Sequence, residues 1–497
     1  MINFRMILII LCSIYPLISV AQEPTSVIDS YQPAKSESRI LKVRDLLIEK
    51  QFIKLNNLLD AAQKNVEQSI VHEEKLFTLY RAFEINDNSF TNLLNEWVQA
   101  TPENYQPYLA RASHYYRMGW VARGNNWASE TKQEQFNEMK MHFIKAQNDI
   151  ARTLDINEFS LIPYYLVFGI AQMQGGLKES SKVAKKALSI YPSSYILRLK
   201  ILNFLEPRWG GSYDQMLAFI DEALMHEAEN KNIGLLKGYL YAIAGKVRTE
   251  SRLYNEAEKF FKIALQFGEE HKTLKLKGRN NYKREDYSQS IKEFSRAIAL
   301  YPDEGSYYLD RARAFSMLKK YENALSDVQM ADKLDPNSKS IKKYKKWLAA
   351  KFVVQGYDLN KNQKTALAIK KFNAALLLNP ADAETYNRRA NAYIAENKIK
   401  LAHKDLKKSL KLDPNNFNTY TLLDWVLAKR KAWHQIIRYW DQYITLHPDN
   451  SRAYVERGGA YYHSGNIKLA VNNAKIAADM GNHEGREAYE KFKHMAH

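Results

Sequence analysis

The chain has 497 residues and a formal net charge of +18, from 73 Lys and Arg against 55 Asp and Glu. Its 45% hydrophobic and 26% charged composition is that of a globular protein and excludes a disordered or fibrous chain. The single cysteine, Cys12, excludes a disulfide framework.

Residues 1–21 are predicted to be a secretory signal peptide. Arg5 precedes an apolar run from Met6 to Val20, and Ser19 and Ala21 place small residues before a cleavage point after Ala21. Pro16 argues against an uncleaved membrane anchor. Leu11, just before Cys12, is too large for a lipoprotein signal. Removal of the leader leaves a mature chain without thiols, which excludes cysteine catalysis and cysteine-liganded zinc. The expected location is periplasmic or secreted, with no transmembrane helix in the mature chain and no nucleic-acid partner. Residues 22–38, rich in Ser, Pro and Gln, read as a linker.

From Arg39 the apolar residues fall at helical spacing: Ile40, Leu41, Val43, Leu46 and Leu47, then Leu76, Leu79 and Phe83, then Leu93, Leu94, Trp97 and Val98. No alternating β-branched run occurs, so the expected fold class is all-α. Residues 39–270 form a divergent helical domain with loose repeats and longer loops. Setting Pro192 at position 32 of a repeat puts Tyr164 at 4, Ala171 at 11, Ala184 at 24 and Ala187 at 27. Two loops stand out, ARGNNWASET (Ala122 to Thr131) and LEPRWGGSYDQMLAF (Leu205 to Phe219). Both resemble signatures of a bacterial helical family of unknown function, whose members resemble tetratricopeptide proteins in architecture. That resemblance implies a superhelical fold and no activity. In the second loop Pro207 ends a helix, Gly210 and Gly211 permit a tight turn, and Ser212 can cap the next helix. Arg123, Arg208 and Trp209 are candidates for a recognition patch at one rim, beside the plainer reading of a shaped turn.

Residues 271–484 repeat in register. Pro302 and Pro336 are 34 residues apart, as are Pro380, Pro414 and Pro448, while the step from Pro336 to Pro380 is 44. In the unit Gly305 to Ser338, Tyr308, Ala312, Phe315, Ala324, Ala331 and Pro336 fall at positions 4, 8, 11, 20, 27 and 32. Large rings at 4 and 11 fill the space between two helices, and small residues elsewhere let backbones approach. Six such units resemble the tetratricopeptide repeat, a helix–turn–helix motif. The resemblance implies a right-handed α-solenoid that binds proteins or peptides. The ten inserted residues, Lys339 to Leu348, are expected to lengthen a helix by ~15 Å, capped by Asn337 or Ser338. Gly485 to Lys493 should form a capping helix that covers the last repeat, followed by a short tail to residue 497.

No catalytic constellation emerges. His-Glu-x-x-His, Gly-x-Ser-x-Gly and Gly-x-Gly-x-x-Gly are absent from the sequence. No catalytic residue, cofactor or metal site is expected. Charge speaks more clearly. Residues 271–497 hold 42 Lys and Arg and 24 Asp and Glu, whereas residues 1–270 hold 31 of each. A one-sided field steers acidic partners toward the repeats, although lysine-dressed solvated faces give the same count. By resemblance, positions 2, 5, 9, 12 and 13 of each first helix face a concave groove. In the unit from His271 these are Lys272, Lys275, Arg279, Tyr282 and Lys283, and Arg313 takes position 9 of the next unit. This is similar to grooves that hold a peptide's terminal carboxylate, except that Asp310 stands where such grooves carry asparagine and is expected to repel an anion. The expected function is an exported scaffold for an acidic protein or peptide. An anionic envelope polysaccharide is the alternative ligand, and a glycan-modifying enzyme a more distant one.

Overall fold

The structure, a computed structural model, describes residues 38–124 and 128–495. The leader and most of the linker lie outside the described residues. Among the described residues eleven α-helices precede the regular repeats: α1 (Arg39–Ile48), α2 (Phe52–Gln68), α3 (Glu73–Arg81), α4 (Asn88–Ala100), α5 (Gln106–Arg123), α6 (Gln133–Ile156), α7 (Leu161–Ile190, broken at Gly176), α8 (Tyr195–Phe204), α9 (Tyr213–Leu224), α10 (Leu236–Glu250) and α11 (Tyr254–Gln266). Six pairs follow. They are α12/α13 (His271–Lys283, Tyr287–Leu300), α14/α15 (Gly305–Met317, Tyr321–Leu334), α16/α17 (Lys339–Lys361, Thr365–Leu378), α18/α19 (Ala383–Ala395, Ile399–Leu412), α20/α21 (Phe417–Ala428, Trp433–Leu446) and α22/α23 (Ser451–His463, Ile467–Asp479). The last helix is α24 (His483–Lys493). Among the described residues there is no strand, so the fold is an all-α solenoid of helix pairs.

Local rules set each pair. The first helix ends in a left-handed residue at the same place in unit after unit: Glu285, Lys319, Gln363, Asn397, Lys431 and Gly465. The turn reverses the chain there, and the second helix packs back on the first. Arg252 and Lys50 hold the same conformation, which brings α10/α11 and α1/α2 under the same turn geometry. Close approach of the paired helices needs a small residue facing a ring. A Cβ on Gly278 would lie 2.7 Å from the Phe294 ring, on Gly356 2.6 Å from Phe372, and on Gly245 2.8 Å from Phe261. Since Gly356 and Phe372 match Gly278 and Phe294, the ten inserted residues precede the repeat's own first helix. They form one unbroken 23-residue helix with it. Ser338 begins that helix but its side chain makes no capping bond. Asn337 instead donates to the Asn86 carbonyl (3.2 Å), so the expected cap is not made.

A buried ion pair recurs within the pairs. Arg311 forks onto Asp327 (2.7 and 2.8 Å), and its remaining arm reaches Ser295 (3.0 Å). Arg389 does the same with Asp405 and Asn373, whereas Arg457 makes one bond to the Asn473 amide within its pair and its ion pair with Asp441 of the preceding unit. Lys277 between Glu293 and Glu258 is the unit-1 version. Arg111 in α5 repeats the arrangement with Asp149 of α6 and Asn95 of α4. The planar guanidinium suits this role because it donates to two elements at once.

First helices of successive units touch one another, as α10 does α12, α16 does α18, and α18 does α20; no second helices pack so closely. The array therefore curves toward its first helices, and they line the inner wall. The N-terminal helices then return onto this array. Arg44 of α1 donates to the carbonyls of Lys333 (2.9 Å) and Leu334 (3.1 Å), and Arg117 of α5 pairs with Asp335 (3.4 Å). Arg81 of α3 binds Glu304 (2.6 Å) and the Tyr301 hydroxyl (2.9 Å), and Ser38 donates to Asp303 (2.5 Å). One apolar core runs from Ile40 to Leu378, so this closure is a packed interface.

Candidate protein-interaction surface

In units 1 and 2 the inner wall carries the basic residues that the sequence singles out. Their charge is largely answered from within. Asp310 accepts from Arg279 Nε (2.8 Å) and from Arg313 Nη1 (3.1 Å), so it bridges the two cations. The expected repeller of anions instead quenches the field that would attract them. Lys275 Nζ donates to Ser306 (2.7 Å) and lies 5.1 Å from the centre of the Tyr307 ring. Tyr282 meets the edge of Tyr287, and Lys283 is exposed. Lys272 is solvent-exposed at its surface, yet ringed by protein. Lost solvation lowers its pKa and Glu270 opposes that shift. Burial pushes the neighbouring Glu304 carboxyl up, but Arg81 and Lys275 outweigh it and hold it at about 2. The N-terminal helices thus share this part of the wall.

Of the three rim residues, the side chain of Arg208 lies outside the described residues, and the other two are engaged within the fold. Arg123 is buried at the end of α5 and donates to the Gly124 carbonyl (3.2 Å). The Trp209 ring packs on Phe204, which packs on Phe168. Gly210 is left-handed (φ 92°), and Ser212 caps α9 by accepting from Gln215 N (3.1 Å). Pro207 to Ser212 is therefore a shaped turn over an aromatic core. Trp127 lies outside the described residues.

Units 3 to 6 present an open inner wall. On α16, Lys343, Trp347, Ala350, Val354 and Tyr357 follow one another at spacings of four and three and are all exposed. Such spacing keeps them on one face. Trp347 is 42% exposed, Val354 58% and Tyr357 51%. The opposite face of the helix holds Ile341, Tyr344, Leu348 and Phe352 in the core. Cations stand beside the rings: Lys351 lies 5.3 Å from the Trp347 centroid and Arg388 5.1 Å from that of Tyr357. Two units on, Trp425 of α20 is 42% exposed, with Lys429 5.1 Å from its ring. Periodicity alone does not single out Trp347, Tyr357 and Trp425, because aromatic residues at repeat spacing fit a core role first. The available signal was a second apolar stripe on α16, on the face opposite the first.

Among the described residues no helix is long and apolar enough to cross a membrane, and no group of three or more His, Cys, Asp and Glu could hold a metal ion.

Helix pairs with a shared turn, a shared ion pair and an inner wall of first helices define a repeat array. Tetratricopeptide repeat profiles match residues 276–339 and 383–416, and a domain of unknown function, DUF4034, matches residues 39–154. The chain carries tetratricopeptide repeats behind an N-terminal DUF4034 domain, and its repeat array is a protein-interaction scaffold. The DUF4034 match takes in Ala122 to Thr131 and stops short of Leu205 to Phe219. The chain is similar to Hsp70-Hsp90 organizing protein of Triticum aestivum, 23% identical over 207 residues, or 41% of this chain and 34% of that protein. It is also similar to tetratricopeptide repeat protein 16 of Mus musculus, 29% identical over 181 residues, or 30% of this chain and 23% of that one. It thus spans about a third or less of these relatives' length. Among solved structures it is similar to the P58(IPK) TPR domain (16% identity, TM-score 0.24, 90% of this chain and 98% of that one). It is also similar to YrrB, described as a TPR protein with an unusual peptide-binding site (18% identity, TM-score 0.27, 40% and 97%).

Proposed function

We propose that this protein is an exported scaffold that holds an acidic, amphipathic segment of a partner protein against the inner wall of units 3 to 6. The observation that supports this most is the α16 face, where Trp347, Val354 and Tyr357 are exposed in one line and flanked by Lys343, Lys346 and Lys351. An apolar stripe between cations matches a helix or extended segment with apolar residues between carboxylates. A rigid wall also spares the entropy of ordering a loop on binding. Export rests on residues 1–21. Amino-terminal sequencing of the protein recovered outside the cytoplasm should begin at Gln22, and an intact Met1 would remove that part of the reading.

The test is a displayed random-peptide library selected on the full chain. Recovered peptides should carry acidic residues among apolar ones spaced three or four apart. Their affinity should fall about tenfold or more in Trp347→Ala/Val354→Asp, with melting unchanged, and should weaken as salt rises. Unbiased peptides, or equal affinity in the variant, would overturn the reading. Polygalacturonate binding lost in that same variant, with no peptide recovered, would assign the face to an acidic polysaccharide instead.

A further inference from the structure

Where unit 5 meets unit 6, the inner wall opens into a cavity of about 410 Å³ between α20 and α22. Its chemistry is the reverse of the α16 face. The helix α20 supplies Thr421, Asp424, Ala428 and the exposed indole of Trp425, which Lys429 approaches to 5.1 Å, and α22 supplies Arg452 and Glu456. Asp424 accepts from Trp440 Nε1 (2.8 Å), which fixes the carboxylate from behind. Glu456 has one cationic neighbour, Arg452, at 3.6 Å; that guanidinium is 58% exposed at the rim, above Phe417. Burial raises the pKa of both carboxyls; Asp424 and Glu484 raise that of Glu456 further against Arg452, while Trp440 and His463 pull that of Asp424 down. Gly459, a turn beyond Glu456 on the same face, leaves the approach open: no atom lies within 4 Å of an added Cβ.

The geometry points to this cavity as the seat of a single basic side chain, a lysine or arginine of the bound segment, stacked on the Trp425 indole and paired with Glu456 and Asp424. A cation over an indole face with a carboxylate behind it gains both cation–π and charge-assisted hydrogen bonding. The swing of Arg452 into solvent makes room for it. The inference rests on the proposed groove and adds a direction to it: the acidic, apolar part of the segment lies on α16, and its basic residue lies at units 5 and 6. An amphipathic segment of uniform charge would fit only one of the two regions.

The same peptide selection, repeated on Glu456→Gln and on Gly459→Leu, tests it. Peptides from the wild-type chain should share one Lys or Arg at a fixed distance from their acidic, apolar stretch. Changing that residue to Met should weaken binding about tenfold on the wild-type chain and have little effect on either variant. Selections on the variants should keep the acidic, apolar pattern and lose the basic position. Melting equal to wild type shows that the cavity alone was altered; if Glu456→Gln fails this control, Gly459→Leu carries the result. Peptides with the acidic, apolar pattern but no preferred basic residue, or equal loss on all three proteins, would overturn the inference and leave the groove standing. A failed selection on the wild-type chain would overturn both.

Discussion

Glu73 shows how one side chain can set a pH response in a helical array. It is buried on α3, where it accepts from Tyr195 N (2.8 Å), Ile196 N (3.3 Å) and Asn230 Nδ2 (3.2 Å), and from the Ser194 hydroxyl. Burial raises its pKa, the hydrogen bonds pull the other way, and the balance lies at about 7. Folding therefore takes up a proton at Glu73 between pH 4.5 and about 7. The stability linked to this group is full below that window and is lost as pH rises through about 7, by as much as about 3 kcal/mol. His114 and His271, lowered by burial to about 4, act in the opposite sense, their share being lost as pH falls from 6.5 toward 4. Glu73→Gln keeps the acceptor for three donors and offers Ser194 a donor in place of an acceptor. Its melting temperature relative to wild type should climb between pH 4.5 and 8. A difference that stays constant across that range would show that Glu73 does not titrate there.

At the scale of elements, the capping helix is the simplest case. α24 begins at His483, two residues before the expected start, because Asn482 caps it by accepting from Gly485 N (2.9 Å). Phe492 is buried and stacks on Tyr462 (4.7 Å), closing the apolar end of unit 6. Deletion from Gly485 onward should lower the melting temperature of the last repeats by several degrees, about 2 kcal/mol of lost packing. An unchanged melting curve would mean that the helix covers nothing of consequence. The helix pairs of units 1 to 6 were legible in the sequence because local rules recur through them, a ring opposite a glycine in units 1 and 3 and a proline after the second helix in units 1 to 5. α1/α2 and α5/α6 follow related rules with looser spacing. Arg111 and Asp149 are 38 residues apart, against 16 for Arg311 and Asp327, since the α5–α6 connection is longer. The interaction surface was legible only in part. The sequence shows which residues face inward, but Asp310 joining Arg279 to Arg313 depends on two adjacent units, and no spacing within one unit reports it.

At the scale of the molecule, the return of α1, α3 and α5 onto units 1 to 3 joins residues more than 200 positions apart, with Arg44 and Leu334 separated by 290. No periodicity encodes such a contact. It follows from the accumulated curvature of the array and from a few polar anchors. Arg44 is the most exposed to loss: it is buried, its Nε donates to the Ala82 carbonyl (2.8 Å), and burial lowers its pKa to about 10 against the pull of Asp335. Arg44→Ala removes the side-chain donor from three carbonyls, two of them buried, at a cost of about 3 kcal/mol. Hydrogen exchange should then rise together in α1 and in the Lys333–Asn337 turn, while α18 to α23 keep their protection. Faster exchange confined to α1 would show that the two regions are not coupled.

This closure also changes how the chain carries load. A solenoid whose units touch only their neighbours stretches like a coil spring, each interface yielding a little. Here the stretch from Ser38 to Asn337 has its ends tied, and a pull across it is borne by the Arg44, Arg81 and Arg117 contacts in shear. Units 4 to 6 have no such tie among the described residues and keep the compliance of an open coil. A partner held on those units would hang from a soft tether on a stiff mount, so tension on the partner would be absorbed there before it reached the N-terminal domain.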